Sequence, residues 1–265
     1  MGCHAGAYRL SVVLDLIKTG SISLLRGNQS EVKAVYDALS SDNKDEISPL
    51  GKGVDGAQVA DSAIIAYRLA RLINCPVVAT GEEDYVSDGT RVFAVPHGHP
   101  IMTAVTGTGC LLGAVLAAFF SAYYPCKNRL SMGEFLAYAL AYYGLAGESA
   151  VHLSGVKPGS FSVAFMDRLY TLDDAVLMSE NRIRPLVVPD QLEVYFISGT
   201  QDVELNENRL LSIVEDACRG GVTCFQFREK GAGTLVGQQK LELAQQLKQI
   251  CAKYNVLYII NDDVD

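Results

Sequence analysis

Hydrophobic positions along the first 180 residues switch repeatedly between two periods. From Tyr8 to Lys18 they return every three to four residues, the spacing of an amphipathic helix. Ile22 to Leu25 is a short apolar run of the buried-strand kind, and Arg26-Gly27-Asn28 after it reads as a turn. Asn28 is a suitable N-cap and Glu31 follows at capping-box spacing, so a second helix is predicted to start there. The polar stretch from Ser40 to Gly56 predicts a loop. A helix is predicted over Gln58 to Ile73, a buried strand over Pro76 to Thr80, and a hairpin from Asp84 to His97 turning at Ser87-Asp88-Gly89. Helices over Gly109 to Tyr124, Gly133 to Leu153 and Ser160 to Leu172 complete this part. Strands alternating with helices imply an α/β layered fold.

The periodicity lapses at Asn181 to Gln191, where two prolines appear, and then restarts. Strands are predicted at Leu192–Ile197, Val222–Glu229 and Val256–Ile260, separated by helices at Asn208–Arg219 and Thr234–Tyr254. Gly220-Gly221 supplies the stop for the first of these helices. A β-α-β-α-β series of this kind predicts parallel strands joined by crossovers. The chain therefore reads as residues 1–180, a linker over 181–191, and a second module over 192–265.

Composition narrows the function more than the fold. The chain has 265 residues, 49% hydrophobic and 20% charged, which excludes disorder as its main state. A formal net charge of -8 argues against nucleic acid or an anionic membrane as a partner, since phosphate backbones need a basic face. Seven cysteines without a CxxC pair fit free thiols in a reducing cytoplasm better than a disulfide or zinc scaffold. The start lacks the basic and apolar blocks of a signal peptide, and Gly6 stands where myristoylation wants Ser or Thr. Cys110 to Tyr124 is apolar but shorter than the ~20 residues that span a bilayer.

The segment Gly107-Thr108-Gly109-Cys110 carries the clearest chemistry. Small residues at a helix start leave backbone N–H groups free for a phosphate or a developing anion. Its spacing matches neither a dinucleotide fingerprint nor a Walker A loop. Cys110, in the first turn, is expected to feel the helix dipole, which lowers a thiol pKa. Alone, the segment reads more readily as a glycine-rich turn before a core helix with a small buried thiol. Arg26 and Glu31, around one strand-to-helix turn, and Thr80, after a buried strand, fall where open α/β sheets hold ligands. Glu31 by itself reads as a capping-box residue. His97 and His99 could ligate a metal, but read as polar surface at a hairpin exit.

In this order RGNxxE, TGEEDYVSDG and MTAVTGTGC resemble hydroxyethylthiazole kinase, of the ribokinase-like fold, from Gly2 to about Leu177. The resemblance implies ATP contacts at Arg26 and Thr80, magnesium positioning by Glu31, thiazole contact at Gly107, and Cys110 at the catalytic position where most ribokinase-like enzymes carry aspartate. It further implies ATP as co-substrate, Mg2+, and self-association, with trimers in that family. Cys110 would orient the alcohol and act as an imperfect base.

A second constellation is Gln226-Phe227-Arg228-Glu229-Lys230. Strand alternation would put Gln226, Arg228 and Lys230 on one face and Phe227 and Glu229 on the other. A donor and two cations at a strand end suit a diphosphate, and Asn261-Asp262 adds an amide and a carboxylate at the end of the next strand. With GGVTCFQFREK and LEVYFISGT, this pairing resembles thiamine phosphate synthase, a TIM barrel, over Leu192 to Asp265. The resemblance implies that Gln226 through Lys230 and Asn261 hold hydroxymethylpyrimidine diphosphate and that Asp262 ligates magnesium.

Together the two modules imply thiamine biosynthesis or salvage: phosphorylation of the thiazole alcohol, then its coupling to the pyrimidine. The resemblances also imply a kinase domain lacking its N-terminal strands and a barrel lacking its C-terminal ones. Two alternatives stay open from the sequence, a non-catalytic fragment and a ribokinase-like kinase of another small alcohol.

Overall fold

A computed structural model describes residues 7–41, 57–127, 129–231 and 233–261, which fall into two compact units, Met1–Leu186 and Val187–Asp265. In the first unit, α1 (Ala7–Lys18) is followed by β1 (Leu25–Asn28), α2 (Gln29–Ser41), α3 (Ala57–Ile73) and β2 (Val77–Thr80). The hairpin β3 (Asp84–Ser87) and β4 (Val92–Val95) precedes α4 (Thr108–Ala122), α5 (Met132–Ser154), α6 (Pro158–Thr171), α7 (Asp174–Ser179) and β5 (Arg184–Leu186). The sheet runs in the order β1-β2-β3-β4-β5; β1 is parallel to β2 and the remaining neighbours are antiparallel.

Side-chain alternation explains how both faces of this sheet are covered. Val78, Val86, Phe93 and Val95 point into a core made with Leu116 of α4, Leu136 and Leu140 of α5, and Phe161 and Phe165 of α6. The other set, Val77, Ala79, Tyr85 and Ala94, is equally buried, and α3 packs along β2, β3 and β4. Phe161 stacks on Phe165 at 5.4 Å, and Tyr143 meets Phe165 edge-on at 5.0 Å. The predicted hairpin forms, and Asp88 does double duty in it. Its Oδ1 accepts the N–H of Thr90 and Arg91, while its Oδ2 accepts the Gly133 N–H at 2.8 Å and so ties the turn to the start of α5.

Two local expectations are corrected. Arg26-Gly27-Asn28 is strand and not turn, because all three residues pair with β2 in register (Arg26 with Val78, Asn28 with Thr80). Part of the 181–191 stretch expected as linker is β5, whose Pro185 lies opposite Phe93 on the sheet edge. An edge strand tolerates proline because one row of its backbone groups needs no ladder partner. The loop expected over Ser40 to Gly56 falls mostly outside the described residues. No helix among the described residues is long and apolar enough to cross a membrane.

The second unit is the predicted series: β6 (Tyr195–Ser198), α8 (Glu207–Arg219), β7 (Cys224–Phe227), α9 (Gly237–Lys253) and β8 (Leu257–Ile260). Its three strands are parallel, in the order β6-β7-β8. Asn206 caps α8 by accepting the Arg209 N–H at 3.0 Å, and Gly221 (φ 102°) turns the chain out of it. Leu210 and Val214 of α8 and Leu243 and Leu247 of α9 close over Phe225 and Phe227.

Candidate functional site

The strand ends of the first unit and the start of α4 enclose a cavity of about 600 Å³, whose wall includes Thr80, Asp84, His97, Thr108, Gly109 and Tyr143. Each element delivers its residue for a local reason. Parallel pairing of β1 with β2 sets Arg26 and Thr80 side by side, with Arg26 Nη2 3.4 Å from the Thr80 hydroxyl, which itself donates to the Gly27 carbonyl at 3.2 Å. Gly107 takes the left-handed conformation (φ 100°) that a side chain disfavours, and the chain enters α4 directly after it. The guanidinium lies against that entry: a Cβ built on Gly109 would stand 3.3 Å from Arg26 Nη2. Arg26 Nε is buried without a hydrogen-bond partner. A cation with an orphaned N–H beside the free amides of a helix start is chemically an anion site.

Tyr143 fixes the same helix start from α5, donating its hydroxyl to the Thr108 carbonyl at 2.6 Å; burial pushes its phenol above the usual range. Asp84 accepts the Gly81 N–H at 2.9 Å, and burial pushes its carboxyl up to about 7 although that bond and Arg26 pull it down. Cys110 is exposed in the first turn of α4.

Glu31 is buried, and the capping box is formed in both directions. Its Oε2 accepts the Asn28 N–H at 2.9 Å, and Asn28 Oδ1 accepts the Glu31 N–H at 2.8 Å. Among the described residues no cluster of three His, Cys, Asp or Glu could hold a metal by itself. Magnesium held by one carboxylate, nucleotide phosphates and water fits such a donor set.

The reading of His97 as surface is corrected. His97 is buried, its Nε2 accepts the Arg182 N–H at 3.1 Å, and its Nδ1 faces Glu148 at 3.4 Å. Glu148 Oε1 also accepts from Arg182 Nη2 at 2.6 Å and from the Gly98 N–H at 2.8 Å. Burial, and then the Arg182 charge, hold the imidazole below its ordinary pKa, against the pull of Glu148. His99 caps a short 3-10 helix through the Ile101 N–H. Both residues line the cavity. The signal missed in the sequence is Glu148, whose isolated carboxylate in an apolar helix needs a buried partner.

In the second unit, Gln226 is half-buried at the end of β7 and donates to Asn261 Oδ1 at 3.2 Å, just beyond β8. Asn261 Nδ2 is buried without a partner. β7 ends at Phe227, short of the strand end expected at Glu229, although burial keeps alternating through Lys230. Phe227 has no exposed surface and belongs to the core, so its side chain cannot meet a diphosphate. Arg228 and Lys230 are exposed beyond the strand. Glu229 turns inward, as Phe227 does: it accepts the Thr200 N–H at 2.6 Å, the Thr200 hydroxyl at 2.8 Å and the Leu235 N–H at 3.1 Å. Glu229→Ala is therefore expected to destabilise this unit by about 2–3 kcal/mol, the scale for hydrogen bonds to a charged group. Urea denaturation followed by circular dichroism measures this, and a loss under 0.5 kcal/mol would contradict it. Asp262 lies outside the described residues.

The hydroxyethylthiazole kinase family model matches residues 1–175, and that of thiamine monophosphate synthase matches residues 194–265. A hydroxyethylthiazole kinase of Streptococcus agalactiae is 41% identical over 177 residues, which is 66% of this chain and 64% of the relative. The thiamine biosynthesis bifunctional protein ThiM/ThiE of Symbiobacterium thermophilum is 32% identical over 271 aligned positions, 100% of this chain and 52% of that protein. Among solved structures, hydroxyethylthiazole kinase from Pyrococcus horikoshii superposes with a TM-score of 0.57 at 29% identity, covering 71% of this chain and 63% of its own. The chain thus spans between about half and two thirds of the length of these relatives. With the kinase model matched over residues 1–175 of 265, the chain belongs to the hydroxyethylthiazole kinase family.

Proposed function

We propose that the first unit transfers the γ-phosphoryl group of ATP to the primary alcohol of 4-methyl-5-(2-hydroxyethyl)thiazole. The observation that carries this reading is that Thr80 and Gly109, at the start of α4, line one cavity and Arg26 lies against both of them. Phosphoryl transfer depends mainly on positioning and charge stabilisation, and these groups suit both. Arg26 would neutralise phosphate charge, the Thr80 hydroxyl would orient a phosphate oxygen, and the amides after Gly107 would hold the group in transfer. Leu112, Leu140 and Met102 give the cavity an apolar side suited to a thiazole ring. The alcohol oxygen forms the new bond to phosphorus, the bond to ADP breaks, and the alcohol proton leaves towards Cys110. Glu31 would hold magnesium, which supplies charge neutralisation when bound. The test is coupled ADP release by the full chain with hydroxyethylthiazole. Turnover only with a different alcohol would reassign the substrate, and no turnover with any would reject the kinase reading for this chain.

Cys110 would orient the alcohol and accept its proton imperfectly. Cys110→Ser is expected to lower kcat roughly tenfold to a hundredfold, at the lower edge of general-base contributions, with KM for ATP little changed. Full turnover in that variant would remove the base role.

For the second unit, the reading is a part of a thiamine phosphate synthase. Gln226, Arg228, Lys230 and Asn261 would hold hydroxymethylpyrimidine diphosphate, with Glu229 bracing the loop that carries Arg228 and Lys230. The orphaned Asn261 amide N–H supports a ligand at this strand end. Equilibrium binding of that diphosphate, weakened by Arg228→Ala, tests this assignment.

A further inference from the structure

Asp84 is a half-buried acid in the wall of the cavity with no part in the mechanism above. It opens β3 three residues after Gly81, and the Gly81 N–H occupies its Oδ1. Among the described residues its Oδ2 makes no hydrogen bond, and Asp84 lines the same cavity as Thr80 and Gly109. The charged and titratable groups around it come from every neighbouring element. Arg26 on β1 favours its carboxylate and Glu83 opposes it. Glu82, His97, His99 and Tyr143 share the cavity wall. Arg26 has a buried Nε without an acceptor, so cation and acid sit together where a phosphate is expected.

We propose that Asp84 is a proton-linked positioning residue of the nucleotide site: its carboxylate balances Arg26 in the free protein, and it takes up one proton when a polyphosphate binds. This deepens the kinase reading and rests on it. The physical reason is like-charge repulsion in a space of low dielectric, where a carboxylate beside a phosphate is relieved by protonation. Burial has already brought Asp84 to about 7, so a modest further push suffices. The neutral carboxyl donates from Oδ2 to a phosphate oxygen, while Oδ1 keeps the Gly81 N–H and with it the corner that presents Thr80. The direction is fixed. The added negative charge raises the pKa, so binding draws protons from solvent above about pH 7, and affinity falls as pH rises. Nucleotide phosphates, with a last pKa of about 6, are already ionised there.

The experiment is calorimetric titration of MgATP into the full chain, without thiazole, at about pH 8 in two buffers of different ionisation heat. Wild type is expected to take up about half a proton or more per nucleotide, and its affinity should fall by up to tenfold per pH unit. Asp84→Asn keeps the Oδ1 acceptor and imitates the neutral acid, so it should bind MgATP without proton uptake and more tightly than wild type above about pH 8. Binding by wild type without uptake overturns the proposal and leaves the kinase reading intact. Uptake that persists in Asp84→Asn, or affinity lost there tenfold or more, also overturns it; the latter would mean that the site uses the charged carboxylate. No binding of MgATP to wild type removes the nucleotide reading itself. The wild-type measurement needs no variant to fold.

Discussion

Arg26→Ala is expected to lower kcat/KM for ATP-dependent phosphorylation on the order of a hundredfold to a thousandfold, the usual loss when one preorganised charge-stabilising donor is removed. Arg26 sits on β1 where parallel pairing holds it beside β2, reaches the Thr80 hydroxyl, and packs against Gly109. Its position is set by backbone register, so the variant should keep the fold and lose the charge. Arg26→Lys should recover only part of the activity, because an ammonium restores the charge but not the planar fork whose Nε lacks an acceptor. Steady-state kinetics with ATP varied, alongside circular dichroism, measures both. Wild-type kcat/KM in Arg26→Ala would remove the anion site from the mechanism.

How much of this was legible in the sequence depends on how local each interaction is. Asn28 and Glu31 are three residues apart, and their capping box forms as their spacing predicts. The hairpin at Asp88 and the stop at Gly220-Gly221 are local in the same way. The run Arg26-Gly27-Asn28 reads as a turn because glycine and asparagine favour turns, while pairing to β2, some fifty residues away, makes it a strand. His97 reads as surface for the same reason: its partners Glu148 and Arg182 lie 51 and 85 residues on. At Gln226 to Lys230 the inward and outward order was legible, with Phe227 and Glu229 inward and Arg228 and Lys230 exposed. The length of the strand was not, since the ladder ends at Phe227. Nor was the partner of Glu229, because Thr200 lies 29 residues away.

Gly144→Ala is expected to destabilise the first unit by about 3 kcal/mol or more, at the upper end for overpacking, although alanine is the better helix former. A Cβ at Gly144 would stand 2.5 Å from His97 Cβ, 2.6 Å from its carbonyl carbon and 2.8 Å from its carbonyl oxygen. Those atoms cannot retreat cheaply. The imidazole is held by the Arg182 N–H, and the next residue is held by the bond from the Gly98 N–H to Glu148, which lies on the same helix as Gly144. Pushing α5 away from β4 would open the core around Leu140 and Tyr143 and shift the Tyr143 hydroxyl that fixes the start of α4. Gly147→Ala, one turn along, separates geometry from crowding. Its Cβ would come within 2.6 Å of Met102 Sδ, which is the far end of a flexible side chain. Met102 can swing into the cavity it lines, so Gly147→Ala should cost under about 1 kcal/mol in stability. Its effect should appear instead as a raised KM for the thiazole. Denaturation curves and substrate kinetics on the two variants should therefore diverge. Equal stability losses in both would mean that the α5–β4 contact yields as readily as a methionine, and that His97 is not the fixed point of the cavity wall.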